Sequence, residues 1–170
     1  MIILERTAVM NLENAMRGAR NPMNSWKNEE GNYILGEKDL SLAKRLRLAG
    51  SDHRKFIRQI FVSVDVTAPL YWWKEYDTYK VATVANSTST MHRIHAKPFS
   101  LEDFSHDKMS GEALSLFRDY VSKLEKIRLR YLEGGKKKED WYDLIQLLPS
   151  SYHQLRTLSM DYETLVNIYF

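Results

Sequence analysis

The sequence predicts an α/β (α+β) fold: one domain spanning residues 1–170, with a mixed central sheet flanked by helices. Three observations lead there. Ile60, Val62, Val64 and Val66 alternate with Phe61, Ser63 and Asp65, the period of a strand with one buried face. Leu114, Phe117, Val121 and Leu124 recur at helical spacing, continued by Ile127 or Arg128. Strand-like and helix-like segments then interleave with no repeat, low-complexity tract or linker between them. A chain of 170 residues that is 44% hydrophobic can bury one real core.

Taken in order, residues 2–9 read as a short strand, and Asn11 as the cap of a helix that Asn21–Pro22 ends. A polar loop follows over 24–36, with Trp26 and Tyr33 in it. Asp39 is expected to cap a helix through Ala49, burying Leu40, Ala43, Leu46 and Leu48, and Gly50 stops it. Residues 57–66 form the clearest strand. Pro69 suits the first turn of a helix over 68–77. Residues 79–84 are β-prone and 86–98 read as a loop. Ser100 and Asp103 suit a short helical turn, and Ser110 caps the long helix 111–132, which Gly134–Gly135 breaks. Lys136–Lys137–Lys138 runs straight into Glu139 and Asp140, an exposed helix start with phosphate binding as the alternative. A helix over 141–148 ends at Pro149. Residues 151–160 are extended, and Asp161 caps a last helix over 162–170.

The net charge of +3 and a pI near 9.0 come from charges of both signs spread along the chain. That describes a mixed solvated surface, so no nucleic acid partner is expected. With no cysteine, disulfides, thiolate metal sites and cysteine nucleophiles are excluded. The apolar run over residues 1–6 is too short for a signal peptide or a membrane span, so a cytoplasmic protein is expected. Phosphate-loop, dinucleotide, zinc-helix and nucleophile-elbow motifs are all missing. His92 and His95 are three apart but fall in a loop with no third ligand, so no metal is expected.

Residues 68–92 are the most distinctive stretch. Trp72, Trp73, Tyr76 and Tyr79 supply ring area, and Asn86, Ser87, Thr88, Ser89 and Thr90 supply hydroxyls and an amide that can orient a flat, polar ligand. For Trp72 and Trp73, packing in the core or between subunits is the main reading and base stacking the alternative. Ser87 and Ser89 stand either as turn-forming hydroxyls or as ligand contacts. His53, beside Asp52 at the mouth of the main strand, reads equally as structural or as ligand-contacting.

An ordered set of short segments resembles the flavin-dependent thymidylate synthases. Asn14–Ala15–Met16–Arg17–Gly18–Ala19–Arg20 is similar to an early Ala-Ala-Arg helix. Asp52–His53 stands for Glu-His, Phe61–Val62–Ser63–Val64 for the strand after it, and Asn86–Ser87–Thr88–Ser89 for Asn-x-x-Ser. Leu148–Pro149, Ser159, Leu165 and Asn167 resemble the late segment. The resemblance covers nearly the whole chain. It implies a homotetramer with active sites where subunits meet, FAD as cofactor, a dUMP-like nucleotide as ligand, and reductive methylation of uracil. The site residues it implies are His53, Lys80, Asn86, Ser87, Ser89 and His92, with Asp52, Tyr76 and Tyr79 nearby.

The departures concern phosphate. The family's Arg-His-Arg falls on Thr78–Tyr79–Lys80 and its Arg-Tyr on Met91–His92. Asp161 replaces an Asn and Glu163 an Arg; a further arginine would fall past Phe170. Charge-assisted contacts are worth about 1.5–3 kcal/mol each, so losing two or three weakens a nucleotide site by orders of magnitude. Two readings result. One is a diverged homologue that keeps a flavin- or nucleotide-binding cleft without assured dUMP methylation. The other is a non-catalytic oligomeric scaffold that keeps only the fold.

Overall fold

A computed structural model describes residues 1–26 and 33–169. Part of the expected polar loop (27–32) and the last residue of the expected final helix lie outside the described residues. Among those described, β1 (Ile3–Met10), β2 (Phe61–Pro69), β3 (Thr83–Ser87) and β4 (His153–Asp161) form one sheet in the order β1-β2-β4-β3. The α/β (α+β) class therefore stands, and in strand direction the sheet is antiparallel rather than mixed. The helices are α1 (Leu12–Ala19), α2 (Glu37–Leu48), α3 (Ser51–Arg54), α4 (Leu70–Tyr76), α5 (Gly111–Glu133), α6 (Lys138–Gln146) and α7 (Tyr162–Tyr169). None is long and apolar enough to cross a membrane.

The chain divides into two compact units. The first comprises Met1–Leu4, Val66–Thr78 and Asn86–Arg156. Its core gathers Ile94, Phe99, Phe104, Val121, Leu124 and Leu144. Phe104 meets Phe117 and Tyr152 edge-on, at centroid distances of 5.4 and 5.6 Å. Ser110 caps α5 as expected, its Oγ accepting from the Ala113 N–H. Of the two candidates late in α5, it is Arg128 that is buried, where Glu125 pairs with it at 2.7 Å. Trp73 is 1% exposed and donates from Nε1 to the Gln154 carbonyl, which makes it a core residue.

The second unit comprises Glu5–Asp65, Tyr79–Ala85 and Thr157–Phe170. Ala15, Met16, Phe56, Ile57 and Ile60 form its core. Asp161 caps α7 as expected, accepting from the Thr164 N–H at 2.8 Å. Four local expectations change. Asn11 makes no side-chain cap; it sits at φ 65 and donates from Nδ2 to the Gln59 carbonyl. Asp39 lies in the third position of α2, reaching back to accept from the Gly36 N–H, and is buried against Arg20 at 2.5 Å. That rotates the buried stripe onto Leu42, Ala43 and Leu46, leaving Leu40 and Leu48 exposed. Residues 55–59 are a 3-10 turn, so β2 starts at Phe61 and runs through Pro69, which ends the strand instead of opening the helix. Last, Ala82 turns at φ 55 while Thr83 Oγ1 donates to the Tyr79 carbonyl. The turn delays β3 to Thr83–Ser87, and Asn86 and Ser87 join the strand.

Candidate functional site

The hydroxyl-rich segment leaves β3 at Thr88, and its position is fixed from β4. The Thr88 N–H donates to the Leu155 carbonyl at 2.9 Å, and Gln154 Nε2 donates to the Thr88 carbonyl at 2.7 Å. Gln154 is buried and its other amide atom is also committed, Oε1 accepting from Arg156 Nε at 3.1 Å. Arg156 in turn pairs with Asp77 at 2.7 Å and lies over the Trp73 ring at 4.3 Å. An aromatic wall, a guanidinium and a buried amide therefore hold one carbonyl of the loop.

Past that anchor a cleft of about 540 Å³ opens, within the ~300–1,000 Å³ of small-molecule sites. Thr67 of β2, Thr88, Ser89 and Thr90 of the loop, and His153 of β4 line it. Ser89 Oγ accepts the N–H groups of Met91 and His92 at 3.2 and 2.9 Å, so the turn-forming reading holds for it. Its O–H is still able to donate. His153 Nδ1 lies 3.2 Å from the Glu102 carbonyl, to which it must donate. Nε2 is then an acceptor, buried and without a protein partner. Burial pushes the imidazole down from its ordinary value, so His153 is neutral at physiological pH.

Four charges border the cleft: Arg93, Lys97, Glu102 and Asp103. Lys97 is ion-paired to Asp103, which raises the lysine above its usual value. Asp103 also accepts from the Ser100 N–H at 2.9 Å. Hydrogen bonds from its own backbone N–H and from Ser100 hold Glu102 below the usual carboxylate range. Arg93 is exposed, and among the described residues its side chain makes no ion pair.

A second cleft, of about 640 Å³, belongs to the other unit and is lined by Asn21, Asp52, His53, Lys55, Arg58 and Gln59. Arg58 and Arg54 both reach Glu163, at 2.7 and 3.3 Å. Glu163, expected from the sequence to make this region acidic, is therefore paired with two arginines of its own unit.

Of the residues singled out by sequence, His53 lines this second cleft and Ser89 the first. The other four line neither. Lys80 is exposed in the turn before β3, not in a strand; Asn86 and Ser87 are exposed on β3; His92 is exposed after the Ser89 turn. Arg93, Lys97 and His153 were missed. Only the hydroxyl run pointed toward them, since Arg93 and Lys97 follow it closely while His153 arrives from β4. No group of three or more His, Asp or Glu able to hold a metal occurs among the described residues.

This fold is that of the flavin-dependent thymidylate synthases. Thymidylate Synthase X (ThyX) from Helicobacter pylori, solved with FAD and dUMP, superposes at a TM-score of 0.69 with 17% identity, over 98% of this chain and 81% of that one. The UMP/dUMP methylase PolB from Streptomyces cacaoi, bound with 5-Br dUMP, matches at 0.65 with 13% identity, over 99% of this chain and 76% of that one. No family model matches the sequence, and no curated protein matches it significantly.

Within a single chain, neither cleft offers the paired cations that a flavin diphosphate calls for. Each cleft has a single cation outside an ion pair among the described residues, Arg93 in the first and Lys55 in the second. A diphosphate held by one guanidinium or one ammonium lacks the paired forks that make such contacts strong.

Proposed function

We propose that the protein is a diverged relative of the flavin-dependent thymidylate synthases that binds a uridine-class ligand and does not methylate dUMP. The observation that supports this reading best is the cleft at Thr88. On a fold whose solved neighbours were obtained with dUMP and 5-Br dUMP, it brings hydroxyls that can donate and accept together beside a neutral imidazole. A uracil ring carries the complementary pattern, an imide N–H between two carbonyls. Thymidylate synthesis is argued against by Thr78–Tyr79–Lys80 in the place of the arginine motif and by clefts that do not suit a diphosphate. Calorimetric titration with uridine, dUMP and FAD tests the reading. Saturable binding of a uridine compound, with no yellow protein and no FAD uptake, is expected. Absence of any uridine binding at millimolar ligand overturns it.

A second reading, a non-catalytic homo-oligomeric scaffold, is favoured by β1. All eight of its residues are exposed, including Ile3, Leu4, Val9 and Met10, and it is an edge strand. Bare apolar edges invite pairing with another chain. A homotetramer, the assembly implied by the family resemblance, would cover it. Light scattering decides this, and a monomer at all concentrations refutes the scaffold.

A further inference from the structure

We propose that the cleft at Thr88 selects an uncharged, hydroxylated heterocycle, a nucleoside and not its phosphate. This rests on the proposed uridine-class binding and specifies the part of the ligand that the site rejects. The four charges at the cleft cancel, two cations against two carboxylates. Lys97 is tied to Asp103, and Asp103 is fixed by the Ser100 N–H, so the ammonium is not available to a ligand without breaking that pair. His153 is committed to the Glu102 carbonyl through Nδ1 and adds no charge. Arg93 alone is left among the cations, and Glu102 borders the same cleft.

A phosphate dianion entering this cleft would meet one uncommitted guanidinium, Arg93, and one uncommitted carboxylate, Glu102, because the Lys97–Asp103 pair is neutral toward it. Repulsion from Glu102 offsets the attraction of Arg93, so no net charge at the cleft compensates the dianion for the water it sheds. A ribose or deoxyribose with a base has no such conflict. Its hydroxyls and imide find the hydroxyl groups of Thr67, Ser89 and Thr90, which both donate and accept. Burying neutral polar groups against matched partners is the condition for specific binding without charge. This balance of charges thus acts as a filter, giving a phosphate nothing in exchange for its hydration while the hydroxyls accept the ring.

Calorimetry of the full chain with deoxyuridine and with dUMP tests this. Deoxyuridine is expected to bind more tightly by about tenfold, with an affinity indifferent to salt. Asp103→Asn keeps an acceptor for Ser100 but frees Lys97, and Glu102→Gln, at an exposed position, removes a charge without disturbing the fold. Either variant is expected to move the ratio toward dUMP by about tenfold. Equal affinities, or tighter binding of dUMP by the unaltered protein, overturn the filter while leaving uridine-class binding intact. A ratio unmoved in both variants also overturns it. Binding of neither compound removes the uridine-class reading and the filter together.

Discussion

Replacing Gln154 by Ala removes the group that fixes the start of the hydroxyl loop. Two hydrogen bonds are lost, from Nε2 to the Thr88 carbonyl at 2.7 Å and from Arg156 Nε to Oε1 at 3.1 Å. Each is worth about 0.5–1.5 kcal/mol, and a former partner left dry costs about 1–3 kcal/mol more. Thr88 is exposed, so water can satisfy its carbonyl. Arg156 keeps Asp77 and the Trp73 face. The expected loss is therefore about 2 kcal/mol, a drop of roughly 4–8 °C in Tm for a chain of this size. Urea unfolding gives the energy. Hydrogen exchange gives the location, because the Thr88 N–H, bonded to Leu155, should exchange faster while amides in α5 stay protected. A loss below about 0.5 kcal/mol with Thr88 exchange unchanged would refute the anchoring role.

Other expectations follow from the same contacts. Burial alone would raise Asp39, but hydrogen bonds from Arg20 and the Gly36 N–H outweigh it and hold the carboxyl below the usual range. Glu125 is held low chiefly by its hydrogen bond from Arg128. Their contributions are complete above the ordinary carboxylate pKa and are lost as pH falls through the depressed values. Unfolding followed from neutral to acid pH should show that decline, and Asp39→Asn should flatten it. Gly134→Ala places a Cβ 2.6 Å from the Arg130 carbonyl oxygen; a loss of about 1–3 kcal/mol in thermal unfolding is expected. Arg93→Ala should leave stability within about 0.5 kcal/mol while changing uridine binding in calorimetry, since the side chain is exposed and borders the cleft.

What the sequence made legible was local. The alternation in β2, the Ser110 cap and the Asp161 cap each depend on residues within a few positions, and each appears in the structure. The hydroxyl run was visible as composition. Its geometry was not, because the group that holds Thr88 is Gln154, sixty-six residues later. The Arg156–Asp77 pair spans a similar gap of seventy-nine. The extension of β3 through Ser87 depends on pairing with β4, which no local preference in Asn86 or Ser87 announces. The partners of Glu163 were not legible either, since Arg54 and Arg58 stand more than a hundred positions earlier. The family resemblance supplied the fold. It did not reveal how the charges around each cleft are committed, which depends on the pairs Lys97 and Arg58 make in space.

Diffraction from crystals of the protein soaked with deoxyuridine tests the central claim most directly. The predicted result is density for the nucleoside against Thr88, Ser89 and Arg93, beside His153. Density confined to the cleft at His53, or none in either cleft, would contradict it.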